Sequence, residues 1–440
     1  MDKIRQWVLE AIKPGYDFEV YIELKDKLTL ESAEEKLETL LRAKEGGLSV
    51  RVLRDGRMGF AYTSEITQAS VKECVARAME ICDLTPPDEG FKLLSCQNYG
   101  RLNTYTDQEG MDIPIEEKIE LLLSLEKKAK AIDGRVKGVR KVSLKQIQAH
   151  VHCFNSCGLE YEYASTWYTS LIALVAEEDG DSNIAYEWTG SRSFKKLDLD
   201  GMVKDAVFKA TALLKPEAME TRVMPVVLHS SASAMLLEAF SPIFLGDNLI
   251  KNKTFLKGME GQKVFSELLS ITDNGALEEG FMSLPVDAEG NKTRENRIIE
   301  KGIFKGFLHS TYSAIKTGQE PTGNSIRDGF KNLPSCGITN LYIHPGEHSL
   351  EELLGAQEEV FFITDLMGLH TVDPISGSFS LGAGGIIYKG GRRYKCVRGA
   401  VIGGTIQELW SMVEGVGKDF KFYANVGSPS IYVKKLTVGG

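Results

Sequence analysis

Side chains able to do chemistry are sparse in this 440-residue chain and fall into few groups. His150, His152, Cys153 and Cys157 place four donor-type residues within eight positions, a density that suits a metal site. Strand alternation, however, sends His150 and His152 to one face and Cys153 to the other, so convergence would need a bulge. The reading as part of a β-meander is preferred. His344 and His348 are four apart, but Pro345 and Gly346 between them make a turn and not a helical ligand pair. His229, His309 and His370 stand alone.

Nucleophile and phosphate signatures are missing. No G-x-S-x-G elbow occurs, and no helix pattern follows Ser378 and Ser380. The Gly382, Gly384, Gly385 cluster lacks the Lys-Ser/Thr pair of a phosphate loop, so close packing of β backbone accounts for it better. Asp273, Asp287 and Glu289 sit at turns, where carboxylate oxygens hold loop backbone. Glu238 is the carboxylate of most interest because of the element that carries it.

That element begins with the apolar run Val223–Leu228, which predicts a buried strand. His229, Ser230 and Ser231 follow, serine being a preferred residue at a helix start. Ala234, Leu236, Leu237 and Phe240 then recur at helical spacing, and the helix is expected over 231–245. His229 beside it could line a groove, although a histidine there more often hydrogen-bonds at the helix start.

Around this strand–helix unit the residues resemble the TldD/TldE (PmbA) family. The TldD branch carries an HExxxH zinc motif on this helix. Laid over it, Leu237 takes the first histidine's place, Glu238 the glutamate's and Pro242 the second histidine's. Zinc needs about three donor side chains, and neither leucine nor proline supplies one. The resemblance continues through 245–264, VDAEGNKT (286–293), EPTGNSIR (320–327), the 377–385 glycine segment and the closing Gly427-Ser428-Pro429-Ser430, so it spans the chain and points to the TldE branch.

It implies a subunit that binds no zinc itself, paired with a TldD-like partner that holds the zinc. Small or unfolded peptides would be the substrates. Candidates for the peptide groove are His229, Glu238 and His309. Whether the chain also pairs with itself stays open. Two other readings remain: an autonomous metallopeptidase with ligands elsewhere, and a regulatory protein acting on DNA gyrase, a label that family members have carried.

Composition sets the frame. At 440 residues two domains are expected, divided near Pro216. An α+β unit over 1–216 would combine helices, a hairpin at Asp55-Gly56 and a long meander over residues 136–193. Residues 217–440 hold 29 of the 43 glycines and read as mainly antiparallel β, barrel- or sandwich-like. A net charge of −9 disfavours nucleic acid as a partner. No apolar run reaches the length of about 20 residues that spans a bilayer, the first 15 residues lack a secretory apolar core, and seven scattered cysteines suit a reducing cytoplasm.

Overall fold

The computed structural model describes residues 2–94 and 98–440. Cys96, one of the seven cysteines, lies outside the described residues. Of the other six, Cys74, Cys82, Cys153, Cys336 and Cys396 are buried. No helix among the described residues is long and apolar enough to cross a membrane. The fold is α+β, as the sequence predicts, with a closed β-barrel in the C-terminal region.

The N-terminal part is built on a seven-stranded sheet whose long strands run Asp17–Ala33, Lys36–Arg54, Val136–Asn155, Glu160–Glu178 and Asp181–Ser191. Its hairpin turns at Asp55 and Gly56, both with positive φ (49° and 72°), the geometry that makes the turn twist with its strands. The first strand extends well past the Phe18–Leu24 stretch that alternates, because its polar second half is held by pairing to neighbours on both sides.

One face of this sheet, carrying Val20, Ile22, Leu28, Leu30, Val142 and Leu144, is covered by four helices: Asp2–Ala11, Gln68–Leu84, Ile115–Ile132 and Leu199–Ala212. Pro114 caps the third, as its fixed φ favours. The other face carries Tyr21, Val151, Cys153 and Tyr161. It packs against Val286 and Phe330 from the C-terminal half, so both faces are used.

In the C-terminal part, five strands close on themselves in the order Arg392–Thr405, Ser378–Lys389, Glu359–Met367, Arg222–Leu228 and Ile431–Gly439. The last pairs back onto the first at Val401↔Gly439 and Ile402↔Val438. Closure runs through residues 401–403 and 437–439, which removes the free edge at that end of the two strands. Pairing is mostly antiparallel, but Phe361–Ile363 runs parallel to Val226–Leu228, consistent with an unbroken apolar run buried on both sides. The glycine cluster lies in the barrel wall. A Cβ on Gly385 would sit 2.1 Å from the Phe362 carbonyl oxygen, so close backbone approach, not phosphate binding, explains it.

A second, six-stranded sheet includes Ile271–Asn274, Leu341–Ile343 and Val426–Ser428. The helix Ser230–Phe240 is packed against this sheet and the barrel strand Glu359–Met367, within one large apolar core. The helix expected over 231–245 departs from prediction in two ways. It ends as an α-helix at Phe240, and Ser241–Phe244 tightens into a 3-10 turn with Pro242 near its start. Its N-cap is His229 and not a serine: the ring Nδ1 accepts the Ser231 backbone N–H at 3.2 Å.

Candidate active-site helix

Small residues open the Ser230–Phe240 helix and large ones close it, and nearly its whole circumference is apolar or hydroxylic. Ser230, Ser231, Ala232, Ser233, Ala234, Leu236, Leu237 and Phe240 are all buried, while half-buried Met235 and Ala239 and exposed Glu238 form one narrow open stripe. The short N-terminal side chains allow close approach. Ser428 Oγ, from the closing Gly-Ser-Pro-Ser segment, donates to Ser233 Oγ at 2.7 Å, and Ser230 Oγ lies 2.9 Å from the Tyr423 hydroxyl.

The three positions of the degenerate motif diverge. Leu237 is completely buried in the main core, Pro242 lies beyond the α-helical end, and Glu238 projects outward from the helix. Glu238 lines a cavity of about 180 Å³ together with Glu187, Lys209, Ser231, Asp365 and Tyr423. Partial enclosure there pushes the Glu238 carboxyl pKa upward; Asp365 is raised too by burial, with Lys209 opposing. Neither residue at the histidine positions can ligate zinc, and the one carboxylate faces away from Leu237's apolar surroundings. The residues present do not fit the metal. Among the described residues, no group of three or more His, Cys, Asp or Glu side chains converges on a point.

Sequence reasoning passed over the residues that organise this cavity. Lys209, a lysine on the buried face of the Leu199–Ala212 helix, donates to Glu187 at 2.7 Å and to Ser231 Oγ at 2.8 Å. Ser231 Oγ lies 2.8 Å from His229 Nδ1. Since Nδ1 already accepts the Ser231 N–H, the chain runs with one polarity: Lys209 donates both ways, and the serine hydroxyl donates to the imidazole. Burial, with the Lys209 charge adding, holds the His229 pKa down at about 3, so the ring is neutral. A lysine among buried alanines and valines was the available signal, but its partners are distant in sequence.

Of the three groove candidates, only Glu238 lines this cavity. His229 caps the helix. His309 is buried elsewhere, 3.4 Å from Ser313 Oγ and against Gly246, where a Cβ would come within 2.4 Å of its ring; burial lowers its pKa to about 4. The histidine and cysteine groups weighed as ligands take separate positions. His152 is bonded to Glu160 at 3.0 Å, His150 is exposed, and Cys153 is buried on the opposite face. His344 meets Thr272 Oγ1 at 2.8 Å.

Asp287 and Glu289 sit in the loop at 286–293, whereas Asp273, expected at a turn, lies in the strand Ile271–Asn274; all three hold structure. Asp287 accepts the backbone N–H groups of Glu289, Asn291 and Ser325, and Asp273 accepts from Asn324 and Thr339. Glu289 joins Arg51 at 3.3 Å. Arg51 in turn meets Glu19 at 2.8 Å, and Arg327 reaches Glu19 at 2.6 Å. These four buried charges join the 286–293 and 320–327 segments to the N-terminal sheet.

Comparison with known proteins gives a consistent picture. The PmbA/TldA metallopeptidase C-terminal domain matches residues 221–440, the central domain 110–214 and domain 1 18–82. A metalloprotease PmbA homolog of Haemophilus influenzae is 26% identical over 436 residues, covering 98% of this chain and 94% of its own length. A Thermotoga maritima protein described as a modulator of a DNA gyrase superposes with a TM-score of 0.89 at 26% identity, over 100% of both chains. TldE from Thermococcus kodakarensis shares the fold, with a TM-score of 0.90 at 23% identity over 100% of both chains. With three consecutive domains matched from residue 18 to the last, the chain belongs to the PmbA/TldD family of metallopeptidases.

Proposed function

We propose that this chain is the zinc-free, TldE-like subunit of a two-component peptidase, in which a TldD-like partner carries the HExxxH site and this chain completes the chamber around the peptide. The observation that carries the reading is Leu237. Where a zinc ligand would stand, the side chain is hydrocarbon and fully buried in the core. Pro242 at the second position has no donor atom, and Glu238 without a bound metal has no water to activate. The peptide role is supported by family membership, and strand edges outside the barrel can pair with an extended chain.

Co-expression with the HExxxH-bearing relative from the same source tests this. Hydrolysis of unfolded peptides is expected only when both chains are present, with zinc recovered in the partner alone. The double substitution Leu237→His/Pro242→His is expected to give no activity without the partner. Peptidase activity or stoichiometric zinc in this chain by itself would overturn the proposal.

A further inference from the structure

A second cavity, of about 300 Å³, lies in the seam between the helix-free face of the N-terminal sheet and the loops of the C-terminal half. This volume is at the lower end of what small-ligand pockets show. Tyr21, Ile147, Val151, Tyr163 and Trp167 form its floor and Phe281 part of its roof. Trp167 is fixed there because its Nε1–H donates to the Phe281 carbonyl at 2.8 Å.

Two polar groups of residues lining the same cavity, Ser325 Oγ and Arg327 Nε, find no hydrogen-bond partner among the described residues. Ser325 is 1% exposed, and the Arg327 side chain is likewise 1% exposed. A buried donor left unmade is costly, and natural structures keep few of them. The guanidinium is fixed by Glu19 and by its position 4.4 Å over the Tyr21 ring, so Nε cannot turn away to find water. Charged side chains of both signs line the rest of the cavity, Lys25 and exposed Lys145 against Glu23, Asp287 and Asp328, with Lys25 paired to Glu23 at 2.9 Å. An aromatic floor beside unfilled donors suits a group that is apolar on one side and offers an oxygen on the other.

We propose that this cavity is a binding subsite for an aromatic or similarly bulky apolar residue, with its own carbonyl or carboxylate oxygen turned toward Ser325 and Arg327. The ring lies between Tyr163 and Trp167 and excludes water from the seam. This rests on the peptide-handling reading only in that the residue belongs to a peptide. The site is complete within this chain, so its test needs no partner.

The full chain alone is titrated with N-acetylphenylalaninamide, N-acetylphenylalanine, the peptide Ala-Phe-Ala and N-acetylalaninamide, followed by calorimetry and ligand-observed NMR. The aromatic compounds are expected to bind saturably and the alanine analogue about tenfold more weakly or less. Tighter binding of the free carboxylate would identify a peptide C-terminus as the ligand, and equal binding an internal residue. Ser325→Ala should weaken binding roughly five- to tenfold while leaving thermal stability unchanged or raised, because an unsatisfied hydroxyl is removed. Ala149→Leu, which fills the floor, should abolish binding; if its melting shows a damaged fold, Ser325→Ala decides. Absence of saturable binding, equal binding of the alanine analogue, or Ser325→Ala affinity equal to the parent would overturn the proposal. None of these outcomes depends on peptidase activity.

Discussion

Leu237 and His229 show how one helix can keep its place in a fold while its chemistry changes. Leu237 is packed on all sides, so truncation to alanine should cost about 2–5 kcal/mol, measurable by denaturant titration. Leu237→His should destabilise comparably, since an imidazole would enter the core without a partner. Restoring a ligand type there therefore works against folding before it can serve zinc. His229 gives a pH signature. Its folded pKa of about 3 lies below the ordinary 6.5, so the folded chain binds fewer protons than the unfolded chain between these values. The stability this group contributes is present above about pH 6.5 and lost as pH falls toward 3. His309, held near 4, acts in the same direction. His229→Asn keeps an acceptor at the N-cap and removes the titration. Near pH 7.5 it should cost little, and its stability relative to the parent should improve steadily as the pH is lowered. A constant difference across that range would contradict the assignment.

Elements were legible in the sequence where their signals are local. The Asp55-Gly56 hairpin, the helix after Pro114 and the strand at 222–228 follow from turn chemistry, capping and apolar runs, and each forms within a residue or two of where it is expected. What was not legible depends on distant partners. The polar half of Asp17–Ala33 becomes strand because two neighbours supply its ladder, and the barrel closes through residues that carry no closing signal of their own. The candidate site divides the same way: the motif positions could be read, but not the Glu187–Lys209–Ser231–His229 chain, whose members come from a strand, a helix and the N-terminus of a second helix. Lys209→Met should cost about 3–5 kcal/mol by leaving the Glu187 charge buried alone. The double variant Lys209→Met/Glu187→Leu should recover most of that loss, measured by the same denaturant titration.

For the whole molecule, the decisive contacts are those across the seam. Glu19, Arg51, Glu289 and Arg327 balance two negative against two positive charges where water is excluded, and Glu19 and Arg327 are 308 positions apart. Arg51→Met would strand carboxylates at the centre of the molecule. It should lower the stability of the entire chain by about 3–5 kcal/mol, with N- and C-terminal probes shifting together in calorimetry and fluorescence. Separate shifts would show that the seam carries little of the coupling.

That long separation has a consequence in time. Glu19 and Arg51 face each other within the N-terminal sheet, but Glu289 and Arg327 join them only when both halves meet, so the complete quartet is expected to form late, after the rate-limiting step of folding. Weakening it should leave the refolding rate nearly unaltered and accelerate unfolding. The seam then acts as a latch on the finished molecule, setting how long it survives once made.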